Sequence, residues 1–377
     1  MQRKPTVISL FSGGGGLDLG LAASGFSIIF ETDIDLSSCE TLKRNGAIAS
    51  ANGLQGFEHT IVRAEDVRNI DGKSILKECG FKPGEVDVLA GGPPCQAFSV
   101  FGKRKGTDDC RGLLSFDYIR ILGEIAPKAF VFENVAGLLS INAGSTVEQL
   151  LGQLSNPCDG VEYVVCVNRV NARDFCVPQN RDRVIIIGVR KELATATEAS
   201  LISIKKSTSD NDDGLPRLRT VGDAFRGLPE LKPNSTERSA VANHHGRKHS
   251  KRIIERYSKL KPGERDSKTR INKLDNSKPS YTVVVGSDKG GGKGHVHPIE
   301  GREVTPRESA RLQTFPDWWE FAGSVRDEIR QIGNAVPALL GFHIGNALRR
   351  NVFSLQEIPL KDGIQRLGQN HLFRVDR

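Results

Sequence analysis

Two short segments of this sequence carry side chains suited to covalent catalysis. The sequence PPCQ at positions 93–96 follows the apolar run 86–90, and ENV at 133–135 follows the apolar run 129–132. Both runs predict strands, and loops beyond the carboxyl ends of parallel strands line the ligand crevice of open α/β sheets. Thiolates are nucleophiles and carboxyl groups transfer protons. We therefore predict a nucleophile, Cys95, with an acid partner, Glu133.

Composition restricts the class of protein. The 377 residues are 38% hydrophobic and 26% charged, which is typical of soluble chains with one large or two modest cores. No apolar stretch approaches the roughly 20 residues of a membrane span, and no signal peptide is evident, so we expect a cytoplasmic protein without membrane contact. The seven cysteines include no Cys-x-x-Cys pair, which argues against disulfides and thiolate zinc sites.

Positive charge is concentrated in residues 243–273. This segment holds eleven basic and three acidic residues, a net charge of +8, which equals the formal charge of the whole chain. A solvated helical face is one interpretation of such a run. The concentration of charge favours the other interpretation, a surface that binds nucleic-acid phosphates.

Alternation of strand-like runs with helical stretches over the first 190 residues predicts an α/β fold with a doubly wound parallel sheet. The predicted strands cover residues 6–11, 27–30, 86–90, 129–132 and 184–187. Beyond about residue 191 the sequence becomes polar and weakly periodic, which predicts a second, smaller domain. Thr305, Pro306 and Glu308 form a capping box that predicts a helix start, and an apolar helix over 337–344 is expected to pack on the sheet.

A glycine-rich loop, FSGGGGLDLG at residues 11–20, follows the first predicted strand and opens a helix. Such a loop brings open backbone and a helix N-terminus to the crevice. Glu31 ends the second predicted strand and is placed to accept hydrogen bonds from ribose hydroxyls. These features predict a cofactor that contains a nucleoside, without deciding its type.

Taken in order, the motifs resemble those of the C5-cytosine DNA methyltransferases over nearly the whole chain. The segments that carry the resemblance are FSGGGG (11–16), Glu31, DV (66–67), PCQ (94–96), RGLL (111–114), ENV (133–135), QNRDR (179–183), RESARL (307–312) and GNAV (333–336). Two departures concern binding rather than chemistry. Thr32 stands where some members carry an aromatic residue, and Val283 follows Thr282 where leucine is frequent.

The resemblance implies specific site residues. Those expected to bind S-adenosylmethionine, and its product S-adenosyl-L-homocysteine, are Phe11, Gly13, Gly15, Gly16, Leu17, Glu31, Thr32, Asp66, Val67, Pro93, Asn334 and Val336. The expected catalytic residues are Cys95, Glu133, Arg181 and Arg183, and no metal is expected. The expected DNA-binding residues are Gln96, Ser99, Lys103, Arg104, Lys105, Arg111, Thr282, Ser287, Lys289, Gly291, Gly292 and Lys293.

By analogy with the family, the Cys95 thiolate adds to carbon 6 of cytosine while Glu133 hydrogen-bonds or protonates N3 and Arg183 steadies the base. Arg181 and Arg183 are expected to provide a positive field at the thiol. The target base is extruded from the duplex, and residues 96–111 are suited to close over it. The glycine-rich segment 282–294 matches the family's recognition loop, so base readout is expected there.

The composition shift and the resemblance together predict four parts. Residues 1–190 with 325–350 form a catalytic and cofactor-binding domain, 191–304 a target-recognition domain, 305–324 a connecting helix, and 351–377 a C-terminal extension. The expected partner is double-stranded DNA, bound by a monomer. The expected setting is a prokaryotic restriction-modification system with a separate endonuclease, or an orphan methyltransferase.

The sequence also bears on three rival functions. A zinc-dependent deaminase is excluded because Phe98 stands where its second cysteine ligand is required. A tRNA cytosine-5 methyltransferase of the same family stays open, although the basic second domain favours duplex DNA. A catalytically silent DNA-binding relative is disfavoured because the catalytic set is complete. The residues His244, His245, His249, His295 and His297 are expected to be exposed and free of metal.

Overall fold

The computed structural model describes residues 3–94, 114–194, 204, 218–234, 239–285 and 294–373. The described residues form a seven-stranded sheet with the order β3-β2-β1-β4-β5-β7-β6. The strands are β1 (Thr6–Leu10), β2 (Ser27–Asp33), β3 (Ile61–Ala64), β4 (Val88–Gly91), β5 (Ala129–Val135), β6 (Tyr163–Asn171) and β7 (Asp182–Arg190). The predicted α/β class with a doubly wound sheet is confirmed.

The sheet is parallel from β3 to β5 and antiparallel at the other edge. Strands β3, β2, β1, β4 and β5 pair in parallel, whereas β7 runs antiparallel to both β5 and β6. The prediction of a parallel strand over 184–187 is therefore wrong in direction. Only residues 172–181 separate β6 from β7, which is too short for the helical crossover between parallel neighbours.

Two strands were not predicted from the sequence, and both lie at edges of the sheet. Strand β3 has four half-buried or exposed residues, and β6 alternates half-buried with exposed positions along much of its length. Edge strands bury less surface, so their hydrophobic pattern is weak. Strand β2 also extends to Asp33, three residues beyond the predicted end, which matters for the site below.

Helices cover both faces of the sheet. They are α1 (Gly16–Ala23), α2 (Leu36–Ile48), α3 (Gly72–Cys79), α4 (Leu114–Ile125), α5 (Ser145–Ser155), α6 (Val221–Phe225), α7 (Lys251–Lys259), α8 (Pro306–Leu312), α9 (Val325–Asn334), α10 (Ala338–Asn351) and α11 (Leu360–Arg366). Successive residues of β1 alternate between two hydrophobic cores, because strand side chains alternate between faces. Val7 joins the core with α1 and α10, and Ile8 joins the core with α3 and α4.

The two C-terminal helix predictions differ in outcome. The helix start is confirmed, since α8 begins at Pro306 with Thr305 and Glu308 forming the capping box. The helix predicted over 337–344 exists as α10, but its main partner is helix α1 rather than the sheet. A Cβ on Gly20 would lie 2.3 Å from the Ala338 carbonyl oxygen, so this glycine permits the close helix contact.

Residues beyond the sheet contribute to the same large core. Val221 and Ala224 of α6 are buried in it, as are Ile364 of α11 and Leu372 near the chain end. A separate small cluster is formed by Tyr257, Ile271 and Val296. The four-part domain division remains a prediction. Among the described residues, no helix has the length and apolar character needed to cross a membrane.

Candidate active site

A cavity of 880 Å³ lies at the carboxyl ends of β1, β4 and β5, where the sequence places both catalytic segments. Its walls combine backbone of the glycine-rich loop with acidic, basic and apolar side chains. Of the residues expected to act in catalysis or cofactor binding, it brings together Phe11, Gly13, Gly16, Leu17, Asp66, Val67, Pro93, Glu133, Arg181, Arg183, Asn334 and Val336. Motifs far apart in sequence thus meet at one crevice.

Glu133 and Arg183 face each other from neighbouring antiparallel strands. Glu133 pairs in register with Ile185, and Val135 with Arg183, so the two charged residues are diagonal neighbours on one face. The Arg183 Nε atom lies 2.7 Å from Glu133 Oε1, and the side chains are 12% and 11% exposed. This Nε–H has no aligned hydrogen-bond acceptor among the described residues. The contact is therefore an ion pair that holds the carboxyl group in the cavity wall.

Asn134 positions the chain that leads to the nucleophile. Its Nδ2 donates to the Pro93 carbonyl oxygen at 3.0 Å, and its Oδ1 accepts from the Val135 N–H at 2.9 Å. Both ends of the amide are thereby fixed. Pro94 lines the cavity, and Cys95 follows it directly in sequence. Cys95 itself lies outside the described residues.

The glycine-rich loop forms the opposite wall of the cavity. Phe11 adopts a left-handed conformation with φ 56°, which is uncommon for a non-glycine residue and often marks a functional turn. The N–H of Gly13 donates to Asp33 Oδ2 at 2.9 Å, and the N–H of Asp35 donates to Asp33 Oδ1 at 2.9 Å. A Cβ on Gly16 would lie 2.1 Å from the Val336 carbonyl oxygen, so only glycine fits.

Glu31 and Thr32 are two of the expected cofactor-binding residues, and both lie in the last part of β2. Both residues are fully buried and neither lines the cavity. The Thr32 hydroxyl donates to the Arg63 carbonyl oxygen at 3.0 Å. The acid at the true end of β2 is Asp33, which lines the cavity beside Ile34. The signal that could have found it is the spacing from Gly13, because a ribose-binding acid follows the glycine loop by about 20 residues.

Gly15, also expected to bind the cofactor, does not line the cavity. A Cβ there would lie 2.7 Å from a Trp319 ring carbon. This glycine therefore serves packing of the loop against Trp319. Trp319 also donates from its ring Nε1 to the Gly14 carbonyl oxygen at 3.0 Å. Residues from the C-terminal part of the chain thus support the loop from behind.

Glu31 forms a buried acid pair with Asp18. Both carboxyl groups are fully buried and interact with each other, and neither has a hydrogen-bond donor or cationic partner among the residues described. Burial raises the pKa of Asp18 to about 6, and burial together with the Asp18 charge raises the pKa of Glu31 well above its ordinary value. The folded protein therefore prefers this pair at least partly protonated.

Replacing Glu31 with glutamine should stabilise the protein at alkaline pH. Folding raises the pKa values of both carboxyl groups, so the protonated pair favours the folded state fully below about pH 4. This contribution to stability is lost as the pH rises through the pKa values of the folded state. We expect Glu31→Gln to gain about 1–3 kcal/mol over the parent at pH 8 and much less near pH 5. Urea unfolding at both pH values measures this difference. An equal gain in unfolding free energy at the two pH values would contradict the raised pKa values of the acid pair.

Arg181 joins the cavity wall to the start of the predicted recognition segment, residues 282–294. Its side chain is 1% exposed, and its terminal nitrogens donate to the carbonyl oxygens of Val283 and Gly333, each at 2.9 Å. Burial, with the nearby Arg183 charge, lowers the pKa of Arg181 to about 9. Both terminal nitrogens of Arg181 thus bind backbone, and its expected catalytic role stays a prediction.

Neighbouring residues strengthen this junction. Gln179 Oε1 accepts from the Val283 N–H at 2.9 Å, and the Asn180 N–H donates to the Ser280 carbonyl oxygen at 2.8 Å. The hydroxyl of Thr282, predicted to bind DNA, donates to the Asn180 carbonyl oxygen at 2.7 Å. Residues 179–181, the QNR motif at the start of the QNRDR segment, thus hold the backbone of residues 280–283.

Many predicted residues fall outside the part of the chain that the structure describes. They are Cys95, Gln96, Ser99, Lys103, Arg104, Lys105, Arg111, Ser287, Lys289, Gly291, Gly292 and Lys293. Their roles stay predictions. The cavity also includes Asp35, Arg330 and Gln331, which sequence reasoning missed. Arg330 Nη2 lies 2.7 Å from Asp35 Oδ1 and bridges α9 to the loop after β2.

The five histidines were expected to be exposed, and this is wrong. His244 and His295 are buried, and His245, His249 and His297 are half-buried. His244 contacts the Thr305 hydroxyl and the Pro229 carbonyl oxygen, at 2.9 and 2.8 Å. Burial lowers the pKa of His295 to about 4. Within the described ranges, no group of three or more His, Cys, Asp or Glu is placed to hold a metal ion.

Comparison with known proteins assigns the family. The model of the C-5 cytosine-specific DNA methylases matches residues 5–350. Type II methyltransferase M.Eco47II of Escherichia coli is 35% identical over 91% of this chain and 78% of its own length. M.PspPI of Psychrobacter sp. strain TA137 is 34% identical over 93% of this chain and 80% of its own.

Solved structures agree in fold. A crystal structure from E. coli, described as a candidate DNA modification methyltransferase encoded within a prophage, superposes with a TM-score of 0.72. It is 27% identical and covers 93% of this chain and 100% of its own. The Dnmt2 methyltransferase of S. pombe, at 15% identity and a TM-score of 0.59, shares the fold. The chain belongs to the C-5 cytosine-specific DNA methylase family and is a DNA cytosine-5-methyltransferase.

Proposed function

We propose that this protein transfers a methyl group from S-adenosylmethionine to carbon 5 of cytosine within a specific sequence of double-stranded DNA. The observation that carries the proposal is the Glu133–Arg183 ion pair, held in the wall of a cavity that Pro93 and Pro94 also line. The next residue in sequence, Cys95, enters the proposal as the nucleophile. The named relatives are Type II methyltransferases, which supports a DNA substrate.

The cavity fits a cofactor that contains a nucleoside. Asp33 is held by two backbone N–H groups and lies where a ribose-binding acid belongs. Ile34, Val67 and Val336 provide apolar wall for a base, and Gly16 leaves no room for a side chain beside it. When bound, S-adenosylmethionine supplies an electrophilic methyl group.

The protein's own residues make carbon 5 of cytosine reactive. The Cys95 thiolate forms a bond to carbon 6, and the electron pair of the 5,6 double bond moves toward carbon 5. Glu133, in its protonated form, donates a hydrogen bond or its proton to N3 and so stabilises the negative charge that develops on the ring. Arg183 keeps the Glu133 carboxyl group in place. After carbon 5 is methylated, loss of its proton and of the Cys95 thiolate restores the aromatic ring.

The target cytosine is buried inside duplex DNA, so the reaction requires base flipping. We infer that the predicted loop, residues 96–111, closes over the flipped base, and that the 282–294 segment reads neighbouring base pairs. The anchoring of residues 280–283 by Gln179 and Arg181 supports a recognition segment held beside the cavity. We further propose that the protein acts as a monomer in a restriction-modification setting, with any endonuclease separate.

Trapping with a mechanism-based substrate tests the function. DNA synthesised with 5-fluorocytosine cannot lose its carbon 5 substituent as a proton, so the bond between Cys95 and carbon 6 should persist after methyl transfer. We expect a protein–DNA complex that survives denaturation, with the adduct mapped to Cys95 by peptide mass spectrometry. Ordinary DNA serves as the control, and tRNA competition tests RNA specificity. Binding of S-adenosylmethionine without any adduct would overturn the mechanism.

Asp33 rather than Glu31 should determine cofactor affinity. Removing a charged acceptor of hydrogen bonds costs about 1.5–3 kcal/mol, so Asp33→Asn should weaken S-adenosylhomocysteine binding roughly 10- to 100-fold. The matched control is Glu31→Gln, which changes a buried acid outside the cavity and should shift affinity less than about threefold. Isothermal titration calorimetry measures both constants. A larger loss of affinity in Glu31→Gln than in Asp33→Asn would instead support Glu31 as the ribose-binding acid.

A further inference from the structure

The basic segment 243–273 divides into cations with partners and cations without them. Arg256 Nε lies 2.6 Å from Asp266 Oδ1, and Arg247 Nη1 lies 3.4 Å from Glu303 Oε2. Lys273 is buried and donates to the Tyr257 carbonyl oxygen. Arg265 Nε donates to the Arg270 carbonyl oxygen at 2.8 Å. These four side chains therefore serve the internal structure of the segment.

The other seven cations, including Lys248, are exposed and have no carboxylate within 4.0 Å among the residues that the structure describes. The six that lie on α7 or follow it are called the basic surface: Lys251, Arg252, Lys259, Lys261, Lys268 and Arg270. A solvated salt-bridged face would pair its charges at neighbouring positions. Unpaired cations are instead available for an external anion.

The fold places these cations on one continuous structure. A helical residue advances about 100° around the axis, so Lys251, Arg252 and Lys259 fall within roughly 100° of one another on α7, away from buried Tyr257. Lys261, Lys268 and Arg270 belong to the hairpin that follows. Within this hairpin, the Asp266 N–H donates a hydrogen bond to the Ile271 carbonyl oxygen at 2.8 Å. The Arg256–Asp266 ion pair joins this hairpin to α7.

The hairpin is also connected to the active-site side of the molecule. The Tyr281 hydroxyl donates to the Gly263 carbonyl oxygen at 3.3 Å. Tyr281 directly precedes Thr282 and Val283, which the QNR motif holds at the cavity wall. The Tyr281 side chain thus connects the hairpin of the basic surface to the start of the predicted recognition loop.

We propose that the basic surface binds the phosphate backbone of duplex DNA outside the sequence that the recognition segment reads. The inference rests on the proposed function, because it assumes a duplex at the cavity. Lysine is a compact charge suited to phosphate contact, and such contacts position a protein without carrying sequence information. Affinity for flanking DNA should therefore depend on these cations and strongly on salt.

A charge-matched pair of variants tests this surface. The test variant is Lys251→Gln/Lys259→Gln/Lys268→Gln. The control is Lys73→Gln/Lys77→Gln/Lys82→Gln, which removes the same charge from exposed positions in and beside α3. Fluorescence anisotropy gives Kd for a long mixed-sequence duplex at several salt concentrations. Loss of three phosphate contacts should reduce the slope of log Kd against log salt by about 2.7 and weaken binding roughly 100-fold near physiological salt.

The control variant should keep both the slope and the affinity of the parent. An equal slope in test and control variants would overturn the proposal. Circular dichroism and urea unfolding check that both variants fold. If the parent binds DNA but forms no adduct, the proposed function fails while the salt slope still tests the surface.

Discussion

Cys95→Ser should abolish methyl transfer, with turnover at least about 10⁴-fold below the parent. A serine hydroxyl at neutral pH is a far weaker nucleophile than a thiolate, so the ring would not be activated. Affinity for S-adenosylhomocysteine should change less than about threefold, because the cavity residues that fit the cofactor stay intact. Incorporation of labelled methyl groups into unmethylated DNA measures turnover, and calorimetry measures cofactor binding.

The matched control for this variant is Cys79→Ser. Cys79 is half-buried at the end of α3, and burial raises the pKa of its thiol to about 11, so it is a poor source of thiolate. We expect near-parent turnover from this control. Turnover of Cys95→Ser within tenfold of the parent would remove Cys95 from the mechanism, whatever its motif.

Glu133→Gln should slow turnover by about 10²–10⁴-fold, the usual contribution of a positioned proton donor or acceptor. The amide retains the size of the carboxyl group but loses its charge and its proton transfer, and it breaks the ion pair with Arg183. Single-turnover kinetics with saturating DNA and S-adenosylmethionine isolates the chemical step. Cofactor affinity should remain within about threefold of the parent.

Three further variants separate a chemical role of Glu133 from a structural one. Glu148→Gln changes an exposed acid of α5 and should leave the rate unchanged. Arg183→Lys retains a positive charge near Glu133 and should recover part of the rate that Arg183→Gln loses. If Glu133→Gln reacts at the parent rate, the carboxyl group has no part in activating the ring.

Much of the site was predictable because its residues occur in short segments beside strong strand signals. Pro93, Glu133 and Arg183 follow or open central strands whose apolar runs are unmistakable, and all three line the cavity. Asp33 was missed because the strand prediction stopped at Phe30, where apolar residues end. Tertiary burial extends β2 through Glu31 and Thr32, and neither polarity nor periodicity reveals that.

Other features depend on contacts between distant residues. Gly15 resembles its neighbours in sequence, and only the position of Trp319 shows that it serves packing. His244 and His295 carry polar side chains, but buried partners and apolar surroundings place them inside. Sequence spacing also could not show that both terminal nitrogens of Arg181 bind backbone carbonyl groups.

The C-terminal segment has a practical consequence for protein engineering. The family model ends at residue 350, yet Ile364, Leu367 and Leu372 are buried in the large core. Arg366 Nη1 also donates to the Ala23 carbonyl oxygen at the end of α1, the helix that the cofactor loop opens. A version trimmed to the shared family boundary would uncover apolar surface behind that loop. Expression designs and chimeras should therefore retain this segment through Phe373.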